Sequence, residues 1–201
     1  KMTIGGIGIS EFTIVRAPDM PEGQKTVLDD LVTYIAKATG VTLPVITSEQ
    51  TAEHENIVGN HVRENAKVTA AVSEIQNDGY AIVEDGGDLY ITASTGRGVA
   101  FAMYDFLEKY AGVRFYAHDC IMVKEEAIVQ IPANPRDVFS PSFALRGRYY
   151  PSYAPTVKGS GALLKHMEGS MQAYGDNVYF KTYSGHHLND LAEQGGWLDP
   201  T

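Results

Sequence analysis

The stretch from Asp78 to Tyr116, DGYAIVEDGGDLYITASTGRGVAFAMYDFLEKYAGVRFY, constrains the fold more than any other part of the chain. Tyr80 to Glu84 and Asp88 to Thr92 are runs rich in β-branched and aromatic residues on either side of Asp85-Gly86-Gly87. A glycine pair between two such runs predicts an antiparallel hairpin, because glycine reaches the positive φ that a tight turn demands. Ser94-Thr95 then offers a helix N-cap. Val99, Ala102, Met103, Phe106, Leu107 and Tyr110 recur at helical spacing until Gly112 supplies a left-handed stop. Val113 to Tyr116 is expected to return as a short strand, which completes the keel of a small α/β domain.

Residues 1–135 are expected to form one domain around that keel. Met2 to Ile4 and Ile7 to Ile9 flank Gly5-Gly6 as a strand pair suited to an edge, and Phe12 to Val15 continues in apolar, β-prone residues. Ala17 to Pro21 breaks the pattern, with Asp19 as the expected cap and Pro21 in the first turn of a helix. Leu28, Leu31, Val32 and Ile35 mark one face of that helix over Lys25 to Ala38, and Gly40 ends it. Val41 to Thr47 contains Pro44, which confines a strand to an edge or a strand start. The helix between Phe12–Val15 and Val41–Thr47 makes a β-α-β unit. Asn56 to Gly59 is read as another short strand and Glu64 to Ile75 as a weaker helix. Ile121 to Val123 and Ile128 to Ile131, straddling Lys124-Glu125-Glu126, are read as a further hairpin-like pair. The resulting fold class is α/β (α+β), a mixed sheet packed with helices.

Pro132-Ala133-Asn134-Pro135 is the clearest linker signal and sets the expected boundary at 135. Residues 136–201 are expected to hold a linker and the start of a β/α barrel: Phe143 to Tyr149 reads as a strand, Ala162 to Ala173 as a helix and Asn177 to Phe180 as a second strand, the order in which such a barrel begins. A full barrel takes about 250 residues, so only its beginning is present.

The order of a glycine-ended hairpin, Ser94-Thr95-Gly96-Arg97-Gly98, a helix carrying YDFLEKY, and then AGVRFY resembles the non-catalytic N-terminal domain that precedes the catalytic barrel in alpha-glucuronidases. It also resembles the equivalent domain of beta-N-acetylhexosaminidases and, most of all, bacterial proteins in which such a domain leads into a glycoside-hydrolase-like region of uncharacterised function. The resemblance implies an accessory domain of a glycoside hydrolase acting on polysaccharide, with carbohydrate met through the parent catalytic domain. It implies no cofactor, and a location that is secreted, periplasmic or on the outer surface of a bacterium. Acid and base would lie beyond Thr201. The competing class is a carbohydrate-binding or interaction module without catalysis, and a third is a nucleotide-binding α/β domain.

Composition narrows the field further. The chain has 201 residues and a formal charge of −9, and its 16 Lys and Arg are scattered. Nucleic-acid binding rests on clustered positive charge, so a nucleic-acid partner is not expected. No apolar run approaches the roughly 20 residues a membrane helix needs. The lone Cys120 excludes an internal disulfide and a cysteine-rich zinc site, and is expected as a small buried hydrophobe. No signal sequence is visible at Lys1-Met2, so location rests on the resemblance alone.

Four groups of residues could carry chemistry. Asp105 and Glu108 lie three apart on the keel helix, but a glycosidase needs carboxylates flanking a cleft, and a solvated polar face explains them better. Gly96-Arg97-Gly98 sits where a phosphate loop would, yet Phe101 replaces the third glycine, so close strand-to-helix packing is preferred. His186-His187 follows a barrel-like strand. Gly185-His186 resembles a pair in the uncharacterised relatives, but further metal ligands are missing and a loop role is the plainer reading. Arg146, Arg148 and Tyr149, with Tyr150 and Tyr153, bring cations and aromatic faces suited to a uronate or a sugar ring, against packing at a domain junction. Arg146, Arg148, Tyr149 and His186 are the candidate substrate contacts, and catalytic or metal-binding residues are not expected here. The apolar residues of the tail, Phe143, Leu145, Leu163, Leu164, Val178 and Phe180, are expected to pair with a copy of the chain, ahead of docking on the first domain or staying mobile.

Overall fold

The computed structural model describes residues 2–117, 120–124, 129–133 and 135–142. Strand β1 (Met2–Ile4) and β2 (Ile7–Gly8) form the first hairpin, followed by a 3-10 turn and β3 (Phe12–Arg16). Helix α1 (Glu22–Thr39), β4 (Val45–Thr47), β5 (His54–Val58), α2 (Ala66–Ser73), β6 (Tyr80–Asp85), β7 (Asp88–Ala93) and α3 (Gly96–Tyr110) come next. The last strands are β8 (Val113–Ala117), β9 (Cys120–Val123), β10 (Val129–Ile131) and β11 (Arg136–Phe139). The fold is mixed α/β, as expected.

The keel forms as the sequence dictates. β6 and β7 pair antiparallel from Tyr80↔Ala93 to Asp85↔Asp88, and Gly86 and Gly87 take φ of 68° and 95° in the turn. Thr95 caps α3, its side chain accepting from the Gly98 backbone N–H at 3.0 Å. Val99, Ala102, Met103, Phe106 and Leu107 are fully buried, and Gly112 stops the helix at φ 69°. This stripe lies on the sheet with Tyr80, Ile82, Leu89 and Ile91 of the hairpin.

β7, β5, β3 and β4 run parallel, with β6 and then β11 added antiparallel, in the order β11-β6-β7-β5-β3-β4. β3 and β4 are the parallel neighbours expected on either side of α1, and Pro44 does confine β4 to the edge. α1 and α3 pack on one face, where Leu28, Leu31 and Ile35 meet the α3 stripe in one apolar cluster. α2 covers the other face, over Val15, Ile57, Ala81, Val83 and Tyr90.

Several expectations are corrected. Asp19 does not cap α1: Pro21 occupies the N-cap with no side-chain bond, and the helix begins earlier, at Glu22. β3 does not continue the opening strand pair but lies between β5 and β4 in the larger sheet. β9 and β10 do not pair with each other. β9 pairs with the returning β8, while β10 joins β1 in parallel, so a small sheet β10-β1-β2 closes over the larger core through Met2, Ile4 and Ile131. Cys120 is exposed rather than buried, because it stands at the start of a two-stranded ribbon with one open face. Arg136–Phe139, expected to begin a linker, pair with β6 from Arg136↔Val83 to Phe139↔Tyr80. The strand and helix expected over 143–201 lie outside the described residues.

Candidate functional site

Among the described residues, three polar clusters stand where a strand or helix ends. The first is the junction of β7 and α3, the Gly96-Arg97-Gly98 turn. A Cβ on Gly98 would stand 2.6 Å from the Gly79 carbonyl oxygen and 2.7 Å from Ala93 Cβ. That approach leaves no room for any residue but glycine, and it answers the choice between a phosphate loop and close packing in favour of packing. Arg97 turns back to Asp78, Nε to Oδ2 at 3.4 Å, and its guanidinium lies 5.5 Å from the centre of the Phe101 ring. Glycine and arginine at this turn are therefore engaged within the fold.

The second place is the start of β5. Glu55 is buried, and Arg63 grips its carboxylate from two nitrogens, Nε to Oε2 at 2.8 Å and Nη2 to Oε1 at 3.0 Å. Arg63 also donates to the Ser48 carbonyl at 2.6 Å and to the Gln50 carbonyl, which fastens the loop between β4 and β5. Charge-assisted bonds of this forked kind are the strong ones. The Arg63 hydrogen bonds hold the Glu55 carboxyl below its ordinary value. Beside it Asp88 accepts from the Glu55 backbone N–H at 2.8 Å, and burial pushes the Asp88 carboxyl up. Nothing in the spacing of Glu55 and Arg63 marked this pair, since they are brought together by a loop rather than by a helix repeat.

The third place is the edge where the end of α3 meets β6 and β11. The hydroxyl of Tyr80, whose residue is fully buried, accepts from Lys109 Nζ at 2.7 Å. Lys109 also reaches Asp137 Oδ2 at 2.7 Å, and the Tyr110 hydroxyl donates to the same oxygen at 3.4 Å. Burial first, and then the nearby carboxylates of Asp105 and Asp137, hold the Tyr80 phenol far above its ordinary value; Tyr80 also hydrogen-bonds Asp105. Tyr80 stays neutral at any ordinary pH and so cannot serve as a base. Asp105 is accordingly more than the solvated carboxylate its helical position implied: it is tied to a core tyrosine. Phe139 stacks on the Tyr80 ring, centroids 5.4 Å apart, while 46% of it stays exposed. The cluster can hold charges in place and present an aromatic face.

Among the described residues, no group of three His, Cys, Asp or Glu is placed to hold a metal ion, and no helix is long and apolar enough to cross a membrane. Arg146, Arg148, Tyr149 and His186 lie outside the described residues, as do Tyr150, Tyr153 and His187.

No protein-family model matches the chain, and no curated protein matches it. Among solved structures it is similar to the GH20 beta-N-acetylhexosaminidase from Streptomyces coelicolor A3(2), at 18% identity and a TM-score of 0.42 over 67% of this chain and 23% of that one. It is also similar to a family GH115 4-O-methyl-alpha-glucuronidase with specificity for decorated arabinogalactans, at 16% identity and a TM-score of 0.35 over 49% of this chain and 13% of that one. The chain thus spans less than a quarter of the length of either structure.

Proposed function

We propose that residues 2–142 are the non-catalytic accessory α/β domain of a glycoside hydrolase acting on polysaccharide, and that the chain beyond begins its catalytic β/α barrel. The observation that carries this reading is the fate of the residues behind the resemblance. In the stretch from Ser94 to Leu107, Thr95 caps a helix, Gly98 admits the Gly79 carbonyl, and Phe106 and Leu107 are core. A motif spent on packing supports a scaffold role. In this reading Arg146, Arg148, Tyr149 and His186 contact substrate from the barrel side. The parent protein is secreted, periplasmic or held at the outer surface of a bacterium.

One observation favours a second reading, a carbohydrate-binding or interaction module without catalysis: Tyr116 on β8 is 66% exposed, an aromatic face open to a sugar ring. Two assays on the 201-residue chain separate the readings. As a scaffold, it hydrolyses no aryl glycoside or glucuronoxylan oligosaccharide above a buffer blank, and Tyr116→Ala changes no glycan affinity. Turnover that a substitution within residues 2–142 abolishes would overturn both readings, and glycan binding lost in Tyr116→Ala would replace the first by the second.

A further inference from the structure

We infer that the end of the sheet around Phe139, Asn77 and Ser94 is the docking surface for the residues of this same chain that follow Ser142. The inference rests on the accessory reading, in which those residues begin the barrel, and adds where the two parts meet.

The way the chain leaves the sheet argues for it. After β11 the backbone continues alongside the residues that lead into β6. Ser140 Oγ accepts from the Gln76 backbone N–H at 2.9 Å, and the Pro141 carbonyl accepts from Asn77 Nδ2 at 3.3 Å. Pro141 is buried. The seat is tight: a Cβ on Gly79 would run into the Phe139 carbonyl oxygen and stand 3.0 Å from Ser140 Cα. Ser94 Oγ donates to the Asn77 carbonyl at 3.1 Å, which joins the end of β7 to the same clasp. The Pro-rich segment before β11 therefore does not release the chain into solvent. Arg136–Phe139 belong to the sheet, and the next two residues are fastened to it.

Ser142 follows Phe139 by three residues, so the two Cα atoms lie within roughly 11 Å of each other. Phe139 is among the few large apolar side chains left exposed in the described residues. It stands in a fixed orientation on Tyr80, three residues before Ser142, after which 59 residues of the chain follow. A segment tethered that closely acts at an effective concentration on the order of millimolar, which favours it over any separate molecule.

Alkylation of an introduced thiol tests the inference in the 201-residue chain. Ser94→Cys is made in a Cys120→Ser background, and its rate is compared with that of exposed Cys120 in the parent. The introduced thiol is expected to react about 10-fold more slowly, in the range local protection gives, and the slowing is expected to survive ten-fold dilution. A rate equal to that of Cys120 overturns the inference. So does slowing that vanishes on dilution, which would assign the surface to a second copy. Phe139→Ala, an exposed truncation that should leave circular dichroism unchanged, is expected to restore most of the rate and to speed amide exchange at Gln76 and Asn77. No change in either would remove Phe139 as the anchor and overturn the inference as well. Hydrolysis by the chain, by contrast, would sink the accessory reading and leave the docking result standing.

Discussion

On one face of the six-stranded sheet, α1 and α3 bury a continuous apolar cluster that reaches from Phe12 and Ile14 through Leu31 and Ile35 to Tyr104 and Phe106. On the other, the single short helix α2 covers Val15, Ile57, Ala81, Val83 and Tyr90 with little more than Val68 and Ala71. The second face makes up the difference with polar fastenings: Arg63 on Glu55, Lys67 on Asp85 and Arg136 on Glu74. Asn65 adds a cap whose carbonyl accepts from the Lys67 and Val68 backbone N–H groups while its amide donates to Asp85. A helix of eight residues offers two apolar turns at most, too few to hold a sheet face by burial alone. The large face should accordingly fail through cavities, and the small one through lost hydrogen bonds and acid.

The largest effect is expected on the large face. Phe106→Ala should lower stability by about 3 to 5 kcal/mol in a urea melt, because a fully buried ring leaves both lost transfer energy and a cavity. A loss under about 1 kcal/mol would mean that α3 is not seated on the sheet by this stripe.

Arg63→Ala, on the small face, should cost about 2 kcal/mol at pH 7, as charge-assisted hydrogen bonds to a buried carboxylate do. The pH dependence distinguishes it from a packing loss. Glu55 titrates below its ordinary 4.5 in the folded chain because Arg63 bonds its ionised form. Its contribution is therefore present above pH 4.5 and is lost as pH falls through the depressed folded value. The gap between parent and variant should narrow in melts run at successively lower pH, leaving the part that comes from the Ser48 and Gln50 carbonyls. A gap that stays constant from pH 7 down to acid unfolding would show that the forked pair is not what fastens this face.

The smallest effect belongs to the cap. Asn65→Ala should cost about 1 kcal/mol, the usual value of a lost N-cap, and should leave the α1 and α3 face untouched. Amide exchange can check this residue by residue: faster exchange confined to α2 and the β6–β7 turn sharpens the contrast, whereas uniform acceleration would mean that the two faces open together.

Much of the fold was legible because its signals are local. The stripe from Val99 to Leu107, the stops at Gly40 and Gly112, the Gly86-Gly87 hairpin and the edge set by Pro44 each follow from spacing or from one residue's backbone preference. β5 was harder to see in full, because its first half, His54-Glu55-Asn56, is polar although the strand is central and Glu55 and Asn56 are buried. The Glu55–Arg63 fork and the Tyr80–Lys109–Asp137 cluster were invisible for a related reason: they join residues 8 to 57 positions apart, and no repeat brings such residues together.

The sequence by itself determined α1, α2, α3, the β6–β7 hairpin and which faces of them are apolar, since these depend on side chains within a few residues of one another. Only the tertiary structure decided which of the other strands pair. Backbone hydrogen bonds carry no record of side-chain identity, so β9 and β10, which look like a hairpin, part to join β8 and β1, and Arg136–Phe139, which looks like the start of a linker, completes the sheet. The arrangement that buries the most apolar surface at once fixes those partners, and that total is a property of the whole chain rather than of any stretch of it.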